Sequence, residues 1–264
     1  MTADLLTLAV EAAHGAGELL SRSFAGPLEG VATKSSPTDL VSQADRDAEQ
    51  FLVDFIASKR PDDGILAEEG GRSKSATGLR WVIDPLDGTV NFLFRIPVWA
   101  VSIAVEDPTS ALVGVVHDPN RDETFTAQRG RGARVNDRPI QVSDRTDLAT
   151  ALIGTGFAYE VSRRAAQARV AAAVLTRVRD IRRAGSAALD LCSVACGRLD
   201  GFYEAYTEPW DRAAGALIVT EAGGTVSEEP APADEGTTLV AGNATLHREL
   251  RKLLRGAPQG QGVR

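Results

Sequence analysis

The pattern of this chain predicts an α/β fold. Three observations carry that prediction. Segments with helical spacing alternate with short apolar runs along most of the length. A meander of apolar runs fills the middle, from Val98 to Ala127. One apolar run, Trp81 to Ile83, leads straight into two carboxylates on a proline-containing turn, Asp84-Pro85-Leu86-Asp87-Gly88-Thr89. Open α/β sheets keep their ligands at the carboxyl ends of strands.

Taken in order, residues 3–24 repeat small and apolar side chains (Leu5, Leu8, Ala12, Ala16, Leu19, Leu20) at helical spacing. Lys34 to Val41 is polar and broken by Pro37, so it reads as a loop. Residues 42–59 read as an amphipathic helix burying Phe51, Leu52, Phe55 and Ile56, with Asp45 in its first turn. Such an acid suits the helix dipole. Pro61-Asp62-Asp63-Gly64 is a turn, Ile65-Leu66-Ala67 a short strand, and Glu68-Glu69 its end. Adjacent side chains on a strand point opposite ways, so one of the two glutamates can enter a shared site. Arg72 to Gly78 reads as a polar loop.

Trp81 to Ile83 is a buried strand that Pro85 is expected to stop. Gly88 permits a close approach or an unusual backbone shape, and Thr89 is a helix cap or an anion-facing hydroxyl. Val98–Val105, Ala111–His117 and Glu123–Ala127 are neighbouring antiparallel strands. The basic cluster Arg129 to Arg134 reads as a solvated hairpin turn. Ala151–Thr155 is a strand and Ser162–Arg177 a helix. Ile181 to Ala188 is a strand that breaks at Gly185-Ser186 and opens a helix through Gly197. Gly-Ser at that junction offers backbone N–H groups to an anion, or simply a serine cap. Asp200–Ala205 is a strand carrying Glu204. Pro209-Trp210-Asp211 opens a helix through Glu221, with Asp211 either cap or ligand. Late strands at 223–226 and 238–241 precede a last helix over 244–254. Ser227 to Gly236 reads as a loop. The expected organisation is one domain over 1–255 and a disordered Gly/Gln-rich tail over 256–264.

Composition narrows the function. The chain has 264 residues, 43% hydrophobic and 25% charged, which suits a globular protein. A net charge of −7 argues against nucleic acid as a partner. No apolar stretch has the length of a membrane span, and Asp4, Glu11 and Glu18 interrupt the first twenty residues, unlike a secretory leader. Cys192 and Cys196 at helical spacing would hold their Cβ atoms about 5–6 Å apart, too far for a disulfide. They read as reduced thiols of a cytoplasmic protein. The three histidines, His14, His117 and His247, show no metal-binding spacing. Paired carboxylates on a rigid turn instead suit a hard divalent ion such as Mg²⁺, which takes oxygen ligands only.

Ala67-Glu68-Glu69, Trp81 through Thr89, and Pro209-Trp210-Asp211 followed by Ala213-Ala214-Gly215 resemble the inositol monophosphatase family. Gly185-Ser186-Ala187-Ala188 and Glu204 fall between the second and third motifs, as in that family. The resemblance spans about residues 5–254. It implies a five-layer α-β-α-β-α sandwich, often dimeric, that hydrolyses phosphate monoesters with Mg²⁺ and is inhibited by Li⁺. By motif, Glu68, Asp84 and the Leu86 carbonyl would hold one ion. Asp84, Asp87 and Asp211 would hold a second, and a third would lean on Glu68. Thr89 and Asp45 would orient and deprotonate the attacking water. Backbone N–H groups after Asp87, at Gly88 and Thr89, would grip the phosphate. Gly185, Ser186, Ala187, Glu204 and Asp211 would meet the alcohol half of a small phosphorylated polyol. The implied substrate is inositol 1-phosphate. Histidinol phosphate, fructose 1,6-bisphosphate and 3′-phosphoadenosine 5′-phosphate are open to the same chemistry. A non-catalytic relative would lack a ligand or a water-activating residue, and here all six acids and hydroxyls are present. Val90 and Arg212 depart from the family pattern; Arg212 could pair with a neighbouring acid or read a second anion.

Overall fold

The computed structural model describes residues 2–27, 30–33, 40–233 and 236–257. The chain begins with helix α1 (Thr2–Ala25) and the small strands β1 (Ala32–Thr33) and β2 (Leu40–Val41). Helix α2 (Gln43–Lys59), β3 (Gly64–Ala67), β4 (Arg72–Ser73) and β5 (Arg80–Asp87) follow, then the short helix α3 (Thr89–Leu93). The meander is β6 (Ala100–Glu106), β7 (Ala111–Asp118), β8 (Glu123–Gln128), β9 (Ala133–Val135) and β10 (Arg138–Pro139). The second half runs β11 (Leu152–Thr155), α4 (Val161–Leu175), β12 (Asp180–Arg182), α5 (Ala187–Ala195) and β13 (Gly201–Ala205). It closes with α6 (Pro209–Glu221), β14 (Thr225–Pro230), β15 (Thr237–Gly242) and α7 (Ala244–Gly256).

Two sheets organise these elements. One has eight strands in the order β10-β9-β8-β7-β6-β5-β3-β4, and the other five, in the order β12-β11-β13-β15-β14. Alternation along the strands divides the core. Trp81, Ile83, Val101, Ile103, Val113 and Val115 pack on α1 and α2. Val82, Ala100, Ala104 and Val116 face the other way, onto α5 and α6. Phe202, Leu239 and Ala241 of the second sheet close that middle layer. Tyr203, Val240 and Ile153 look outward to α4 and α7. The layers are therefore helix, sheet, helix, sheet, helix, as the resemblance implies. A sheet covered on both faces explains the unbroken apolar runs of the meander.

Several boundaries differ from the sequence reading. β5 does not stop at Pro85. It continues to Asp87 through a register shift between Asp84 and Asp87 against β6. A bulge leaves ladder positions unpaired, and proline, which has no N–H to offer, fits there. Arg72 and Ser73, read as loop, pair with Leu66 and Ile65. Ser227 to Pro230 is strand rather than loop, because β15 offers it a partner edge. Leu40 and Val41 pair with Thr33 and Ala32, whereas the rest of the predicted loop, 34–39, lies outside the described residues. The last helix runs through Gly256, and of the predicted tail only 258–264 lies outside the described residues. Among the described residues no helix is long and apolar enough to cross a membrane.

Candidate active site

The carboxyl ends of β3, β5 and β13 meet the start of α6 around a cavity of about 390 Å³. Glu68, Asp84, Leu86, Asp87, Gly88, Thr89, Gly185, Ser186, Ala187, Glu204 and Asp211 all line it. These are the residues singled out from sequence, with Asp45 directly behind Thr89.

Each acid is held by local structure. Asp84 accepts from the Leu86 N–H at 3.0 Å across the bulge. Gly88 has φ +105°, and a Cβ there would lie 2.9 Å from the Val98 carbonyl oxygen, so the turn needs glycine twice over. Asp211 accepts from the Glu208 N–H at 2.7 Å and caps α6. Close packing sets the depth of α6: a Cβ on Gly114 of β7 would lie 2.8 Å from the Ala214 carbonyl oxygen. Arg212, whose partner the sequence left open, pairs with Glu228 at 2.8 Å.

Asp87 draws the Gly185-Ser186 junction onto itself. It accepts from the Ser186 hydroxyl at 2.6 Å, the Ala188 N–H at 2.7 Å and the Ala187 N–H at 3.3 Å. The start of α5 thus meets an anion, and that anion belongs to the protein. Ser186 is also the cap, its Oγ accepting from the Leu189 N–H at 3.2 Å. The cap reading holds, and the N–H groups expected to face an anion face a carboxylate of the chain.

Asp45 is fully buried in the first turn of α2. Its carboxylate accepts from the Thr89 hydroxyl at 2.9 Å and from the Ser42 N–H at 2.8 Å. Thr89 Oγ1 also approaches the Leu86 carbonyl oxygen at 3.1 Å. A hydroxyl has one proton, so Thr89 spends it on these two acceptors and keeps its lone pairs for another donor.

Electrostatics set this cavity apart. Burial, then the charges of Glu68, Asp87 and Asp211, push the Asp84 carboxyl well above the usual range. Burial and the neighbouring acids Asp87, Glu68 and Glu204 do the same to Asp211. Asp87 is pushed up to about 6 by burial, against the lowering effect of its bonds from Ser186 and Ala188. Glu204 is pushed up to about 7 by burial, with Arg183 partly offsetting it. Asp190 is raised by burial and by Glu204. Buried acids repelling one another, without enough cations from the chain, fit hard divalent ions as ligands. Among the described residues no group of three or more acids, histidines or cysteines stands arranged to hold a metal ion.

Three contributors escaped the sequence reading. Glu49 accepts from the Glu69 N–H at 2.6 Å and the Gly71 N–H at 3.0 Å, which fixes the turn bearing Glu68. It lies one helical turn after Asp45 on the same face, a spacing that was visible. Asn91 donates to the carbonyls of Val98 at 2.8 Å and Ala184 at 2.9 Å, joining α3 to the Gly185 loop. Arg183 lines the cavity beside Glu204. The latter two follow charged or apolar neighbours in sequence and gave no signal.

Comparison with known proteins places the whole chain in a family. The family model described as "Inositol monophosphatase family" matches residues 1–256. The chain is 42% identical over 255 residues to the inositol-1-monophosphatase of Mesorhizobium japonicum, covering 95% of this chain and 96% of that protein. It is 42% identical over 226 residues to the Nus factor SuhB of Escherichia coli K12, covering 85% of each. Among solved structures, the extragenic suppressor protein SuhB from Bartonella henselae superposes with a TM-score of 0.89 at 39% identity. That match covers 96% of this chain and 99% of the other.

Proposed function

The chain belongs to the inositol monophosphatase family and is a phosphatase, and we propose that it hydrolyses inositol 1-phosphate, or a closely similar polyol phosphate, with Mg²⁺. The observation that carries this reading is the set of oxygen donors at one strand end. Glu68, Asp84, Asp87, Asp211 and the Leu86 carbonyl line one cavity, with the Asp84 and Asp211 carboxyls raised by burial and then by the charges of their neighbours.

These residues would hold two to three Mg²⁺ ions. When bound, the ions would neutralise the acids, attract a phosphate dianion and lower the pKa of water. The residues of the chain divide the remaining work. Thr89, its proton committed to Asp45 and Leu86, accepts a hydrogen bond from the attacking water and aims it. Asp45, held by Ser42 and Thr89, takes up the proton that leaves. The N–H groups of Gly88 and Thr89 at the start of α3 receive phosphate oxygens. On the far wall Glu204 accepts from hydroxyls of the alcohol. Gly185, Ser186 and Ala187 form the adjoining edge, and Asp211 faces the leaving oxygen.

The test is phosphate release with Mg²⁺ from inositol 1-phosphate, histidinol phosphate, fructose 1,6-bisphosphate and 3′-phosphoadenosine 5′-phosphate, with an EDTA blank. The expected result is metal-dependent release with the highest kcat/KM on inositol 1-phosphate. Preference for another ester would retain the mechanism and overturn the substrate. No metal-dependent release from any ester would overturn both.

A further inference from the structure

The acid-lined cavity holds one acid to which the proposed reaction gives no task. Asp190, in the first turn of α5, is 3% exposed and lines the cavity together with Glu204. Two glycines, in β11 and just past its end, make room for the pair. The Glu204 carboxylate lies across Gly156, where a Cβ would stand 2.1 Å from its oxygens. A Cβ on Gly154 would stand 3.5 Å from the Asp190 carboxyl carbon. Positions two apart on a strand share a face, so both acids lie along one side of β11.

Asp190 differs from the buried aspartates of the framework. Asp63, Asp118 and Asp200 each accept hydrogen bonds from at least two residues. Among the described residues no group donates to the Asp190 carboxylate. What acts on it is burial and the charges of Glu204, Asp87 and Arg183. Glu204 stands in the same case, with burial, Arg183 and Asp87 acting on it and no donor among the described residues. Buried polar groups are normally satisfied. Two carboxylates left without donors on a cavity wall are groups that a ligand would serve.

The chain offers this wall one cation. Arg183 lines the cavity, and its charge acts on both acids. Its guanidinium lies over Gly185, where a Cβ would stand 2.6 Å from Nη1. Among the described residues it forms no ion pair with either acid. The wall therefore keeps an excess of negative charge.

We propose that Asp190 is a specificity-determining residue: with Glu204 it makes this wall favour an alcohol half that bears an ammonium group, admit a neutral one and reject an anionic one. The proposal rests on the phosphatase reading above and adds to it the charge of the alcohol. An ammonium brings three donors and the opposite charge. A hydroxyl brings a donor alone, which suffices for a neutral polyol. A carboxylate or second phosphate meets two like charges and brings no donor.

The test compares esters of one carbon skeleton at pH 7 with Mg²⁺: glucosamine 1-phosphate, glucose 1-phosphate and glucuronate 1-phosphate, with inositol 1-phosphate alongside. Wild type is expected to show a kcat/KM about tenfold higher for the amine than for glucose 1-phosphate, the worth of one charge-assisted bond, and about tenfold lower for the carboxylate. The differences should lie mainly in KM. Asp190→Asn keeps the shape and removes the charge, and should bring the three esters within about threefold of one another. Arg183→Gln removes the cation and should widen the ratio of amine to glucose ester by at least about threefold.

A purely structural Asp190 would lower all three esters alike in Asp190→Asn, and that result would overturn the proposal. So would a wild type that takes the amine no better than glucose 1-phosphate. Should Asp190→Asn fail to fold, Arg183→Gln decides, and an unchanged or narrowed ratio there overturns the proposal. Release from inositol 1-phosphate without any charge order overturns this inference alone. No release from any ester overturns the phosphatase reading and this inference with it.

Discussion

Beside the start of β5 lies Asp63, and at its end sit Asp84 and Asp87; only two residues stand between Trp81, which touches the first, and Asp84. Asp63 is 4% exposed and is fully served by the chain. Arg60 reaches it through two nitrogens at 2.8 and 3.1 Å, Trp81 Nε1 donates at 3.0 Å, and Thr77 adds its hydroxyl. Burial would raise its carboxyl, but these donors win and hold it below the usual range. Asp84 is 2% exposed and its neighbours include three more acids, so its carboxyl moves the opposite way. One acid is thus served by the chain itself and the other is not. The difference is who supplies the cation. Asp63 has one built in, and in the proposed function Asp84 takes one from solution.

The sharpest way to break this comparison is to exchange each acid for its amide. Asp84→Asn should lower Mg²⁺-dependent phosphate release by at least about a thousandfold. In EDTA the same variant should melt at a higher temperature than wild type, because one repelling charge is gone. Retained turnover, or a lower melting temperature in EDTA, would place Asp84 with Asp63 as a structural acid.

Thr89→Ala comes next. Loss of the hydroxyl should reduce kcat by about a hundredfold, as removal of a proton-transfer group does. Mg²⁺ affinity, read by calorimetry, should stay within about twofold. A collapse of Mg²⁺ affinity would make the threonine a support for Leu86 rather than a guide for water.

Asp63→Asn should do the reverse of Asp84→Asn. It strands Arg60 and weakens the bonds from Trp81 and Thr77, and should cost about 2 kcal/mol in urea unfolding. Its kcat at 25 °C should equal that of wild type. Loss of activity without loss of stability would contradict the division of labour along β5.

The smallest effect is expected at Glu204. Its carboxyl titrates near 7 in the folded protein and near 4.5 when unfolded. The folded state therefore holds the proton more tightly, and burying the charge costs stability as pH rises from about 4.5 through 7. Measured in EDTA, Glu204→Gln should match wild type at pH 4 and exceed it progressively up to pH 8. On polyol esters its KM should rise several-fold with kcat little changed. A stability difference independent of pH would mean that the charge of Glu204 is not what the fold pays for.

Much of the site was legible because its acids sit in short local motifs. Asp84 and Asp87 share one turn, whereas Asp211 reads as cap or ligand until the resemblance of the three motifs to one family joins it to them. Glu49 and Asn91 were silent because they act on backbone groups of remote segments, Glu69 and Gly71 in one case, Val98 and Ala184 in the other. The fold was legible through periodicity. It failed where pairing overrode local preference: at Pro85, which a bulge accommodates, and at Ser227 to Pro230, which an available strand edge captured. His14 and His117, distant in sequence, are neighbours with ring centroids 4.5 Å apart across α1 and β7. No spacing rule reaches across that interval.

Helix α6 connects Asp211 at its tip to Glu221 at its last residue. The Glu221 carboxylate accepts from three consecutive N–H groups, those of Gly130, Arg131 and Gly132, at 2.7, 3.0 and 2.8 Å. Halfway along, Gly114 lets β7 press directly on Ala214, and Gly215 does the same for Leu191. Mechanically this is a cantilever: a stiff beam gripped at its root, seated at mid-span, with its load at the free end. The ten helical steps from grip to load span about 15 Å. Play at the root is magnified at the tip, so the basic hairpin around Arg131, remote from the chemistry, serves as the mounting that keeps an acid in register.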